Sequence, residues 1–291
     1  MGNLTDRVVV VTGAGRGMGR EHALLAAREG ASVVVNDSGV EANGANPDAT
    51  IADSVVEEIR AAGGNAIADS NDVSTTNGAQ ALLERTLDEF GQVHGLVTNA
   101  GILRDKIFVT MSDDDWDLVI AGQLRATFAP VRAFGAHWRA LSKSGTDPRA
   151  SVVTISSTSG LLGAVGQSNY GAAKAGIAAM TVILAEEFGR IGTRINSVVP
   201  VARTRMTEDL PGIGEMVAAP ADPNEFDVYH PGNVSPLIGW LLTADCPKNG
   251  AVYYAKGGEI RRFRGWSYDW TIDQGQRWTI EELDAALRDR D

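Results

Sequence analysis

Val8-Val9-Val10-Val11 is a continuous β-branched run that leads straight into Thr12-Gly13-Ala14-Gly15-Arg16-Gly17-Met18-Gly19. No other junction in the chain restricts the fold as much. A strand that is apolar at every residue has both faces buried, which is the situation in a parallel sheet covered by helices. A helical pattern from Arg20 to Arg28 follows at once. A strand, a glycine turn and a helix start together form an anion site. The glycines admit a pyrophosphate close to the backbone, and the first helical N–H groups point at it. Gly13, Arg16, Gly17, Met18 and Gly19 are therefore expected to hold a dinucleotide.

Ala31-Ser32-Val33-Val34-Val35-Asn36 reads as a second buried strand, and Asp37 ends it. A carboxylate at this distance from the glycines can accept hydrogen bonds from both adenosine ribose hydroxyls. It would repel a 2′-phosphate, so NAD is the expected cofactor. Strand-like runs then alternate with amphipathic helices, which predicts an α/β fold with one doubly wound parallel sheet of Rossmann type. Helices are expected over 51–61, 76–90, 113–141 and 169–189. Strands are expected over 66–71, 96–99, 151–156, 194–199 and 251–254. The stretches 39–50 and 211–231 are rich in Gly, Asn, Asp and Pro and read as long loops.

Tyr170 and Lys174 stand four residues apart, so one helix face carries both. An ammonium beside a phenol favours the phenolate, which is expected to draw the tyrosine pKa down from about 10 towards neutrality. Ser157, upstream in Ile155-Ser156-Ser157-Thr158-Ser159-Gly160, can hold a substrate oxygen beside that phenol. A tyrosine and lysine at this spacing are common in helices. The expectation rests on their occurring in one chain with the glycine motif.

Together these motifs resemble the short-chain dehydrogenase/reductase family, and the resemblance covers nearly the whole chain. The family's glycine motif is matched at Thr12, Gly13, Gly17 and Gly19, and its aspartate-valine pair at Asp72 and Val73. Asn99-Ala100-Gly101 matches its cofactor-floor motif. The resemblance implies that Ser157, Tyr170 and Lys174 are catalytic, that Tyr170 and Lys174 also meet the cofactor, with Lys174 on the nicotinamide ribose, that Asp72 binds the adenine amine, and that Pro200 and Thr204 contact the nicotinamide carboxamide. It also implies a substrate lid near 206–231, within an NAD-binding domain over 1–256, and assembly as a homodimer or homotetramer. Two positions depart from the family pattern. Gln123 stands where an asparagine usually serves the proton relay, and Val201 follows Pro200 in place of glycine. Both departures, with Asn36 to Gly39, Asn99 to Lys106 and Arg205-Met206-Thr207, are similar to the hydroxyacyl-CoA dehydrogenase modules of multifunctional β-oxidation enzymes and their bacterial relatives.

The expected reaction is thus reversible, NAD-dependent oxidation of a secondary alcohol. The resemblance implies a 3-hydroxyacyl-CoA substrate, with a steroid-derived acyl part among the forms it allows. A hydroxysteroid dehydrogenase is the alternative, and a non-catalytic NAD-binding sensor is the alternative of another class. With 291 residues and 44% hydrophobic content, the chain can build one large core. A net charge of −11 and a pI near 4.9 give no general attraction for nucleic acid or anionic membrane. The single cysteine, Cys246, suits a reducing compartment, and no apolar run approaches a membrane span, so the chain reads as cytoplasmic. No metal site is expected. Residues 257–291 form a C-terminal extension with Arg261, Arg262, Arg264, Trp266, Trp270 and Trp278, and Thr279 with Glu282 reads as a capping box. The tryptophans could pack the tail on its own domain or on a neighbouring subunit. The arginines could instead meet an anionic group.

Overall fold

All five residues of β1 (Val8–Thr12) are buried, because helices cover both faces of the sheet around it. The computed structural model describes residues 2–41, 43–46, 48, 50–204, 213–222 and 224–290. Successive strand residues point to opposite sides, so each strand feeds two helical layers. Val9, Val11, Val33 and Val35 pack with α1 (Gly17–Arg28), α2 (Thr50–Ala61) and, further along the chain, Ile238, Leu241 and Leu242. Val10 and Val34 pack on the other side with α3 (Thr76–Phe90) and the fully buried Phe134 and Trp138.

Among the described residues the sheet has eight strands, in the order β3-β2-β1-β4-β5-β6-β7-β8. The strands after β1 are Ser32–Asn36, Asn65–Asp69, Gly95–Thr98, Ala150–Ile155, Thr193–Val201, Val252–Lys256 and Glu259–Arg262, in chain order. Neighbours pair in parallel through β7, whereas β8 folds back antiparallel on β7. The expected doubly wound parallel sheet is therefore present, and β8, absent from the sequence reading, opens the C-terminal segment.

Several boundaries differ from expectation by a residue or two, and three of the differences have identifiable reasons. The third strand stops at Asp69, because the Asn71 N–H turns back to the Asp69 carboxylate at 3.0 Å. β6 continues through Pro200 to Val201, since a proline near a strand end sacrifices only one donor. The long helix expected over 113–141 is interrupted. It consists of α4 (Asp113–Ile120), a wider π turn at Ala121–Arg125, and α5 (Ala126–Lys143). Such π turns are often placed at functional sites, and this one carries Gln123.

The helix that follows β5, α6 (Ser168–Gly189), packs against β6, and α7 (Ser235–Leu242) lies against α1. Thr279 and Glu282 do form a reciprocal capping box at the start of α8 (Ile280–Leu287). The tail's tryptophans are not packed as a set on the domain. Trp266 is fully exposed, and Trp270 meets the Arg290 guanidinium, 5.3 Å from its ring centroid.

Candidate active site

The site begins at the end of β1. The Thr12 hydroxyl is fully buried and accepts hydrogen bonds from the backbone N–H groups of Asn99 and Ala100, each at 3.1 Å. Asn99 Nδ2 reciprocates, donating to the Gly13 carbonyl at 3.0 Å and the Thr12 carbonyl at 3.3 Å. This clasp joins β1 to β4 where the strand order reverses, which is the crevice that binds ligands in doubly wound sheets.

Around that crevice the expected dinucleotide residues form a cradle. A Cβ on Gly19 would lie 2.1 Å from the Gly13 carbonyl oxygen, so only glycine lets α1 start this close to the strand. Among the described residues no side chain caps α1 at Arg16, so its first turn has no side-chain acceptor at the cap position. The Asp37 carboxylate accepts from Gly15 N–H at 2.8 Å and Gly39 N–H at 2.7 Å. Its two oxygens offer about four acceptor sites, so capacity remains for a ribose. Val73 is buried, while the exposed Asp72 carboxylate takes the Ser74 N–H at 2.9 Å. The loop after Asp37 crosses to the far wall, where Arg104 Nε donates to the Asn43 carbonyl at 3.1 Å.

The second half of the site comes from β5 and α6. Ser157 follows β5 and caps a single helical turn, Thr158–Leu161. Tyr170 and Lys174 project from α6, with Lys174 Nζ 5.5 Å from the phenol ring centroid and donating to the Ile155 carbonyl at 2.8 Å. Ile155 pairs with Val198, so Pro200 stands level with Ser157 and Thr204 follows just beyond. The structure thus brings Ser157, Tyr170, Lys174, Pro200 and Thr204 to the same sheet edge as Gly13 and Asn99. Residues 205–207, part of the sequence similarity, and 206–212 of the expected lid lie outside the described residues.

One sequence expectation is reversed. The Tyr170 phenol is pushed up to about 12, not drawn down. Burial is the main cause. The Ser157 hydrogen bond opposes it, and the Asp105 charge adds to it. Lys174 is brought down to about 7 by burial alone. Both groups lose more from leaving water than the pair gains from attraction, so each favours its neutral form.

Gln123, in the π turn, is 1% exposed and donates from Nε2 to the Ile102 carbonyl at 2.7 Å. Its Oε1 is buried with no protein partner among the described residues, and a Cβ on Gly101 would sit 2.4 Å from it. Gly101 is thus the floor on which this amide lies. Two residues escaped the sequence reading. Asn169, fully buried, donates to the carbonyls of Arg104 (3.0 Å) and Asp115 (2.9 Å), and accepts from Tyr170 N–H at 2.7 Å, fixing the start of α6. Asp105 accepts from Gln167 Nε2 at 2.7 Å beside the site. The only signal for either was proximity in sequence to a recognised motif.

Comparison with known proteins agrees with this geometry. The family profile described as short chain dehydrogenase matches residues 7–211. The hydroxyacyl-CoA dehydrogenase ChsB1 of Mycobacterium tuberculosis is 39% identical over 303 residues, spanning 99% of this chain and 89% of that protein. Mouse peroxisomal multifunctional enzyme type 2 is 38% identical over 258 residues, 89% of this chain but 32% of the larger enzyme. The crystal structure of a short chain dehydrogenase from Mycobacterium avium superimposes with a TM-score of 0.88 at 43% identity, covering 99% of this chain and 95% of that one. The chain belongs to the short-chain dehydrogenase/reductase family of oxidoreductases. Among the described residues, no helix is long and apolar enough to cross a membrane.

Proposed function

We propose that this protein is an NAD-dependent dehydrogenase that reversibly oxidises the secondary alcohol of a 3-hydroxyacyl-CoA ester. The observation that carries the reading is the meeting of Ser157, Tyr170 and Lys174 at the sheet edge that holds the Thr12–Asn99 crevice. The likeness to a hydroxyacyl-CoA dehydrogenase over 99% of the chain supports the substrate class. The glycine cradle, the uncapped helix start and the Asp37 carboxylate fit a dinucleotide without a 2′-phosphate.

A bound nicotinamide supplies the hydride acceptor, and the remaining work belongs to the chain. Tyr170 exchanges the proton of the substrate oxygen, and Ser157 holds that oxygen beside the phenol. Lys174, anchored on the Ile155 carbonyl, stands behind the ring and favours phenolate whenever it is protonated. Gln123 keeps a free buried acceptor for a relay water. Asp72, Val73, Ala100, Gly101, Pro200 and Thr204 line the cofactor side. Self-association as a homodimer or homotetramer is supported by the exposed Leu118, Phe128, Val182 and Ile183 on α4, α5 and α6.

A CoA ester offers binding energy remote from the carbinol, which can position the reacting carbon, so it should gain in kcat as well as KM over a truncated alcohol. The test compares kcat/KM for 3-hydroxybutanoyl-CoA with that for free steroid alcohols at fixed NAD and salt. Steroid alcohols turned over far better than CoA esters would overturn the acyl-CoA reading in favour of a hydroxysteroid dehydrogenase. Tyr170→Phe should lose at least about 10²-fold in kcat while keeping its NADH affinity, and a Phe variant of ordinary activity would remove the tyrosine from the chemistry.

A further inference from the structure

Among the described residues β8 ends the sheet, and its outer edge is bare. Phe263 N–H donates to the Val252 carbonyl at 2.9 Å, and the same register pairs Tyr254 with Arg261 and Lys256 with Glu259. In an antiparallel ladder, alternate residues turn their backbone groups to the neighbouring strand. Glu259, Arg261 and Phe263 therefore face β7, and Ile260 and Arg262 turn their N–H and C=O groups outward. Among the described residues no hydrogen bond reaches those outward groups, and all four residues of β8 are exposed. A short, charged edge strand usually repels other chains. Here the charges are arranged to admit one partner, a second copy.

Two identical strands pair antiparallel about a two-fold axis only if the axis passes through a residue, because opposed side chains must lie on one face. Within β8, an axis at Glu259, Arg261 or Arg262 sets that residue against its own copy, a like-charge pair. An axis at Ile260 sets isoleucine on isoleucine and places Glu259 opposite the partner's Arg261 twice over. It also makes Ile260 a hydrogen-bonded pair, each outward N–H meeting the other copy's carbonyl. Within one strand Arg261 Nε already donates to Glu259 at 2.7 Å, and the guanidinium lies 5.4 Å from the Tyr254 ring centroid. Pairing about Ile260 closes the two ion pairs into a ring of alternating charge. Exposed ion pairs add little affinity, so their part is to select the register.

Four residues a side bury too little for a stable dimer, which takes about 800 Å² per partner. The remaining area is at hand where the chains cross. About the Ile260 axis, Phe263 comes level with the partner's Gly257. A Cβ on Gly257 would lie 3.0 Å from Val228 Cγ1 and 3.4 Å from Phe226 Cε1, and Phe226 and Val228 are both exposed. The tail that leaves β8 at this point carries Trp266 and Tyr268, 100% and 97% exposed. Each such ring can bury about 150–250 Å². We propose that β8 is a homodimer edge: two copies pair antiparallel about Ile260, and the tail of each lays Trp266 and Tyr268 on the Phe226–Val228 corner of the other. That corner belongs to the stretch expected to form the substrate lid, so each tail braces the lid of its partner.

Sedimentation velocity of the full chain at micromolar concentration reads the assembled mass, and turnover does not enter. Ile260→Pro removes the outward donor at the axis and none of the bonds to β7. Glu259→Arg sets arginine against arginine across the axis. Both should halve the mass of the wild-type assembly, whether that is a dimer or, with the exposed faces of α4 and α5 also joined, a tetramer. Glu259→Arg combined with Arg261→Glu makes the opposed charges complementary again and should restore the mass. Trp266→Ser and Phe226→Ser should each raise the dimer dissociation constant about ten-fold or more. The Tm of each variant by circular dichroism shows that it is folded. A monomeric wild type, an unchanged mass in folded Ile260→Pro and Glu259→Arg, or a charge swap that stays dissociated overturns the proposal. So do Trp266→Ser and Phe226→Ser variants that associate as tightly as wild type.

Discussion

Replacing Thr12 with valine tests the clasp between β1 and β4 and should be one of the costliest isosteric changes in the chain. The side chain is fully buried, and its hydroxyl is the acceptor for two backbone donors, Asn99 N–H and Ala100 N–H. Valine preserves the volume and leaves both donors without a partner. Each buried unsatisfied donor costs about 1–3 kcal/mol, which gives roughly 2–6 kcal/mol in total. Thr12→Ser is the control, since it keeps the hydroxyl and removes one methyl at about 1 kcal/mol. With a urea m-value of about 3 kcal/mol/M, the valine variant should unfold at roughly 1–2 M less urea than wild type. NADH titration should show weakened binding in the same variant, because Asn99 and Ala100 floor the crevice. Equal urea midpoints for Thr12→Val and Thr12→Ser would refute the reasoning, since the hydroxyl would then be carrying neither donor.

Three further outcomes are expected. Asp37→Ser should erode the preference for NAD over NADP, read as the ratio of kcat/KM for the two cofactors, and a wild type that prefers NADP would contradict the assignment. Gln123→Asn should be tolerated and Gln123→Leu should slow the proton-linked step, with the pH–rate profile as the readout. A leucine variant that matches wild type at every pH would make Gln123 a helix filler. His22, packed against Ser235 through Nδ1 at 2.8 Å, is held down to about 3 by burial, against an ordinary value of 6.5. The unfolded chain then takes up a proton that the folded chain refuses. Stability should be complete above pH ~6.5 and drain away as pH falls towards ~3, to a ceiling of roughly 5 kcal/mol. His94 and His137 are also lowered by burial and act in the same sense. Comparing urea midpoints at pH 7.5 and 5 in wild type and His22→Asn isolates the His22 share, and identical pH slopes would rule it out.

What could be read from the sequence was what rests on local pattern. The valine run, the glycine turn and the Tyr170–Lys174 spacing each record a backbone requirement within a few residues, so the strands, the cradle and the shared helix face followed directly. Terms set by neighbours distant in sequence could not be read. The Tyr170 pKa depends on how deeply β5, α6 and the Asp105 loop enclose the phenol, and burial reversed the expected direction. The π turn at Gln123 and the pairing of β8 to β7 leave no periodic trace in their own segments. Asn169 and Asp105 have their partners more than fifty residues away, at Asp115 and Gln167, and a chain position alone announces neither.

The strand order also sets when the cofactor crevice can come into being. β1, β2 and β3 all lie within the first 69 residues and can pair as the chain emerges, but the other edge of β1 has no partner until Gly95–Thr98 is available. The half that carries Ser157, Tyr170 and Lys174 waits longer still, for β5 and α6. A nascent chain therefore carries a valine-rich open edge during synthesis, with the glycine cradle made and its opposite wall missing. Non-local pairing of this kind slows folding and exposes strand edges to other chains. The two walls of this crevice thus come together late, and the central strand keeps one edge unpaired until they do.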